Sequence, residues 1–166
     1  MTTRKTNALI YHGDAAVKAA CEYYDHPYPP SYLATHIIHE EGFVPGTYED
    51  TKGILTEGIG LTGKYIGKNF FTEVLPEFEE RARRKVTCYD AMPDFGKAAV
   101  LSAIYRGDLG PRTAKLLSNQ HFCLASIEYL NHREYKQLKE HNPRSGIVAR
   151  MERNAHAFSR ITLVSD

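Results

Sequence analysis

Glu41 and Asp50 are two carboxylates nine positions apart, and Thr56 follows six residues later, all within the stretch His39 to Thr62. The local pattern puts Glu41 at the end of an apolar helix stripe and Asp50 in a polar turn. Surroundings that differ in this way let one carboxyl stay protonated while the other stays ionised. Hydrolysis of a glycosidic bond needs that split, an acid for the departing oxygen and an anion for the water or the sugar. Each residue also has a plainer reading: a surface Glu, an Asx-turn Asp and a strand Thr. It is the spacing of the three that favours chemistry.

The elements that must hold them can be read on either side. Ser31 is placed to cap a helix ending near Glu41, with Leu33, Ile37 and Glu41 on one face, and Gly42 stops it. From Phe43 to about Gly63 the chain turns extended, and Ile54, Thr56, Ile59 and Leu61 read as a short antiparallel sheet punctuated by glycines. Upstream, Gly13-Asp14 offers an N-cap for a helix to Tyr24, and the run from His26 to Pro30 breaks the chain. Beyond Asn69 everything reads helical. A helix begins near Thr72 with Pro76 in its first turn, and a central helix from Pro93 to Tyr105 is apolar nearly all round and stopped by Gly107. Further helices are expected at about Arg112–Ser118, His121–Leu130, His132–Glu140 and Pro143–Ser159. The class is therefore α+β. The chain is expected to be one domain over 1–166, with an N-terminal extension and helix at 1–30, a catalytic helix and sheet lobe at 31–68, and a helical lobe at 69–166.

Composition sets the bounds. At 166 residues, with 42% hydrophobic and 25% charged residues, the chain is large enough for a real core. Mean hydropathy is −0.44, and no apolar run approaches the ~20 residues of a bilayer span. The apolar segment Ala8–Tyr11 is too short for a signal-peptide core, so no export signal is expected. A net charge of +1 builds no global field for nucleic acid. The basic residues from Arg81 to Lys85, and Arg144, Arg150, Arg153 and Arg160, read as solvated helix faces or as attraction to an anionic polymer such as a cell wall. Cys21, Cys88 and Cys123 are an odd, widely spaced set, expected as buried free thiols.

The spacing Glu41, Asp50, Thr56, with Tyr48-x-Asp50-Thr51-x-Gly53 and Thr56-x-Gly58-Ile59-Gly60, resembles the T4-type phage lysozymes, glycoside hydrolase family 24. The match is dense over about twenty-five residues and thin after Lys85, with Gly146–Met151 a loose counterpart of a C-terminal family motif. The resemblance implies a lysozyme-like fold, a small antiparallel sheet lobe packed against a mainly helical lobe with a central helix, the carboxylates lying in the cleft. It implies a muramidase that hydrolyses the β-1,4 bond between N-acetylmuramic acid and N-acetylglucosamine with inversion. Glu41 would be the acid, Asp50 the base on water, and Thr56 would help place that water. Thr62, Ile104 and Tyr105 match positions that touch saccharide. No cofactor or metal is implied, and the partner is bacterial peptidoglycan, not nucleic acid or a stably inserted membrane. A monomer would wait in the cytoplasm of an infected bacterium for holin-dependent release in host lysis, or travel in the virion. One departure is Leu61, where family members often carry His. Glu40 directly precedes Glu41, but the Glu-Gly juncture and the nine-residue offset favour Glu41 as the acid; Glu49 and Glu57 are extra acids, expected to face solvent.

Two other classes compete. His36 and His39 stand at i, i+3 on one helix face, an arrangement open to a zinc hydrolase, though the spacing fits neither common zinc-protease motif. A catalytically silent peptidoglycan-binding module of the same fold is the other, and the intact Glu41, Asp50 and Thr56 argue against it.

Overall fold

The helix that carries Glu41 forms for local reasons. Ser31 has extended backbone and its Oγ accepts the Ala34 N–H at 3.2 Å, so the helix runs Tyr32–Glu41. It buries Ala34, Ile37 and Ile38. Gly42 ends it with a φ of 72°, its N–H returning to the Ile38 carbonyl at 2.8 Å. A Cβ at that position would also sit 3.2 Å from the Tyr11 carbonyl oxygen. Conformation and space both require glycine there.

In this computed structural model residues 9–163 are described, together with the backbone of residues 3 and 4. The chain divides into two units, Met1–Glu77 and Phe78–Asp166. In the first, β1 (Thr3–Arg4) is followed by α1 (Gly13–Tyr23) and by α2, the Tyr32–Glu41 helix, which packs on α1. Then come β2 (Val44–Glu49), β3 (Leu55–Gly58) and β4 (Leu61–Thr62). The order is β1-β2-β3-β4, with β2, β3 and β4 antiparallel and a two-residue parallel pairing of β1 on β2. Tyr48 pairs directly with Thr56, and Thr56 with Thr62, so these three side chains share one face of the sheet. Ile54 lies in the β2–β3 turn and is exposed, while Ile59 lies in the β3–β4 turn and is buried. Both had been expected as strand residues.

The second unit is helical. It takes in α3 (Leu75–Lys85) from Phe78 onward; the wide turn over Phe70–Val74 and the first turn of α3, where Pro76 is tolerated, belong to the first unit. After α3 come α4 (Asp94–Arg106), α5 (Pro111–Ser118), α6 (Phe122–Leu130), α7 (Arg133–His141) and α8 (Gly146–Ser159). The helix α4 is buried almost all round, from Ala98 to Ile104 and at Gly96, as its composition predicts. A Cβ on Gly96 would approach Ile161 Cγ1 to 2.9 Å, so this close packing requires glycine. The polar Ser102 inside α4 is rescued from α8. Its Oγ accepts from Arg150 Nε at 3.0 Å and Asn154 Nδ2 at 3.2 Å, and its carbonyl from Arg150 Nη2 at 3.2 Å.

Two expectations are corrected here. Pro143 does not open α8. The helix starts at Gly146 because Ser145 supplies the cap, its Oγ accepting the Ile147 N–H. The cysteines are all free, but only Cys21 is buried; Cys88 is half-buried and Cys123 exposed. Apolar neighbours in sequence did not decide burial for Cys123, which sits on the outer face of α6. Among the described residues no helix is long and apolar enough to cross a membrane. The architecture is α+β, eight helices among the described residues and a small sheet.

Candidate functional site

Glu41 is the last residue of α2 and half-buried. The chain just beyond it is pinned: Phe43 and Tyr11 exchange two backbone hydrogen bonds, of 2.8 and 3.0 Å. The segment ahead of α1 thus braces the turn that presents the acid, a role for the N-terminal region that the sequence reading did not find. Asp50 opens the β2–β3 turn. Its Oδ1 accepts the N–H groups of Lys52 and Ile54, both at 2.8 Å, while its own N–H donates to the Ile54 carbonyl at 2.9 Å. These are the hydrogen bonds of an Asx turn. The amides hold one oxygen, and among the described residues Oδ2 has no hydrogen-bond partner.

Thr56, on β3, is 4% exposed and donates its hydroxyl proton to the Ile54 carbonyl at 2.9 Å. Thr62, on β4, is exposed and lies in the same cross-strand row. One residue that the reading quoted only as part of a motif lies in the field of both carboxyl groups. Tyr48 is 5% exposed, and burial, then Glu41, then Asp50, push its phenol above the usual tyrosine range. Both carboxyl groups act on one ring. Its register opposite Thr56, which puts the two on one face, is fixed only by the β2–β3 pairing.

Glu57 corrects an expectation. It does not face solvent but is buried, its Oε2 accepting from the Tyr23 hydroxyl at 3.1 Å and its Oε1 from the Gly67 N–H at 2.8 Å. Adjacent strand residues point to opposite faces, so Thr56 on one side leaves Glu57 on the side covered by α1. Gly58 follows, where a Cβ would come within 2.8 Å of the Tyr24 hydroxyl oxygen.

Ile104 and Tyr105 belong to the second unit. Ile104 is a core residue of α4, 6% exposed, and the half-buried Tyr105 ring lies 4.8 Å from that of Phe78. The two histidines do not converge on a shared partner. His36 Nε2 is 3.8 Å from Glu40 Oε1, and His39 Nε2 is 3.6 Å from Asp14 Oδ1. Among the described residues no three His, Cys, Asp or Glu side chains gather as a metal-holding set.

The buried phenols give a pH test. Burial is the first cause raising Tyr23, Tyr24, Tyr48, Tyr89 and Tyr129. In the unfolded chain they titrate near pH ~10, so above that the unfolded state has lost protons that the native state retains. Stability from these groups is full below pH ~10 and drains away as pH rises toward the folded values. Thermal melts should therefore show Tm falling beyond about pH 10, with tyrosinate absorbance appearing together with unfolding. A Tm flat through that range would contradict the burial.

No protein-family model matches the chain, and no curated protein matches it.

Proposed function

We propose that the chain is a peptidoglycan-degrading muramidase with a lysozyme-like form of the α+β class. It hydrolyses the β-1,4 bond between N-acetylmuramic acid and N-acetylglucosamine without cofactor. The observation that carries this reading is that two carboxyl groups, one at a helix end and one in a hairpin turn, both act on a single buried tyrosine. Glu41 gives its proton to the departing glycosidic oxygen. Asp50, whose Oδ1 accepts the Lys52 and Ile54 amides in its turn, takes a proton from the attacking water. Water attack on the far side of the sugar gives inversion. The resemblance of residues 39–62 to T4-type phage lysozymes supports the same assignment. It also supports the setting, a cytoplasmic enzyme of phage lysis released through a holin-made opening, or one carried in the virion.

The test is to digest purified peptidoglycan and identify the sugar ends released. New reducing N-acetylmuramic acid ends are expected. N-acetylglucosamine ends, anhydro ends, or no new ends would each overturn the proposal. Following the anomer first formed checks inversion in the same sample.

A further inference from the structure

The attacking water in such a site needs a partner that the three expected residues do not supply. Thr56 has committed its hydroxyl proton to the Ile54 carbonyl at 2.9 Å, so towards a water it can only accept. Asp50 is also an acceptor, with Oδ1 occupied by two backbone amides. A water held by Thr56 Oγ1 and Asp50 Oδ2 donates both of its protons. One lone pair then faces the anomeric carbon, and the other has no donor to fix its direction. Orientation is worth a large part of such a barrier, so this second lone pair matters.

The missing donor has to lie on the same face of the sheet. Tyr48 is directly opposite Thr56 in the β2–β3 register, and its strand ends one residue later, where Asp50 opens the turn. Its ring is 5% exposed and so held by packing. Its hydroxyl has no hydrogen-bond partner among the described residues, so it is available to a bound molecule. Burial first, then the carboxyl groups of Glu41 and Asp50, raise its phenol above the usual tyrosine range, so it is a neutral donor near neutral pH.

The geometry points to Tyr48 as the water-orienting residue of the site, donating to the lone pair that Thr56 and Asp50 leave free. This rests on the muramidase reading. In the step, the water oxygen bonds to the anomeric carbon as the bond to the leaving sugar breaks. The water proton goes to Asp50 and the Glu41 proton to the departing oxygen. No other reactant is needed.

Tyr48→Phe keeps the ring and removes only the donor. We expect kcat to fall at least about tenfold, with KM within about twofold. A double-mutant cycle with Asp50→Asn separates orientation from structure, because once the base is gone a correctly aimed water has no use. Tyr48→Phe should then lower the residual activity of Asp50→Asn by less than about twofold. If the two losses multiply, or if Tyr48→Phe alone stays within about twofold of the parent chain, the inference fails. If the parent chain releases muramic acid ends and Glu41→Gln does not, such a failure leaves the muramidase reading standing. If the parent chain releases none, both fall.

Discussion

Replacing Glu41 by Gln is expected to lower the release of muramic acid ends by about 10³-fold, which is roughly 4 kcal/mol of lost transition-state stabilisation. Gln has the shape of the acid but no proton to give. The helix that ends there is capped by Ser31, ended by Gly42 and anchored by three buried apolar residues, so the substituted protein should still fold, as a cooperative melt will show. Binding to walls should persist, which also separates an enzyme from a silent binding module. Glu40→Gln is the internal control, one position away, and should retain activity within a few-fold. Asp50→Asn completes the argument. Asparagine still offers an Oδ1 to the Lys52 and Ile54 amides, so the turn survives while the charge is lost. A Glu41→Gln protein that still cleaves at near the parent rate would remove Glu41 from the chemistry.

The second large effect is on stability, in the helical unit. Asp108 is 7% exposed, its Oδ1 accepting from the Tyr129 hydroxyl at 2.7 Å and its Oδ2 from Arg106 Nε at 3.1 Å. Tyr129 in turn accepts from Asn154 Nδ2 at 3.3 Å, and Asn154 reaches the buried Ser102. One carboxylate therefore anchors a chain of polar groups running from the α4–α5 turn to α8. Asp108→Ala leaves a buried hydroxyl and a partly buried guanidinium short of an acceptor at once. The expected cost is about 3 kcal/mol, a fall of roughly 10 °C in Tm for a chain of this size. Asp108→Asn restores an acceptor for the tyrosine and should recover part of the loss. Differential scanning calorimetry of the three proteins decides it, and an unchanged Tm for Asp108→Ala would mean the network contributes little.

Much of this was legible in the sequence where a local rule acts alone. Ser31 and Gly42 bracket α2 because a hydroxyl cap and a left-handed glycine work within a few residues of chain. The run around Ala98 to Ile104 announced a buried helix by having no polar face. Burial that depends on the partner across a sheet was harder to see. Glu57 looks like any polar strand residue until α1 is known to cover its side of β3, when its carboxylate becomes the acceptor for Tyr23 and Gly67. Tyr48 was hidden in the same way, because its importance comes from register with Thr56 and from charges brought by another element. Thr56 was found by its spacing. The direction of its hydroxyl, which decides whether it can donate, is fixed only by the folded turn at Ile54.

The three sulfurs are unequal in a way that is useful at the bench. Cys21 is enclosed and Cys88 lies with its Sγ 3.2 Å from the Leu117 carbonyl, burial raising both thiols, while Cys123 stands open on α6. A maleimide fluorophore added in modest excess will therefore attach first at position 123, in the unit that does not contain Glu41 and Asp50. The tagged protein can be tested for adsorption to sacculi under a microscope with Glu41 and Asp50 untouched, and Cys123→Ser supplies the unlabelled blank.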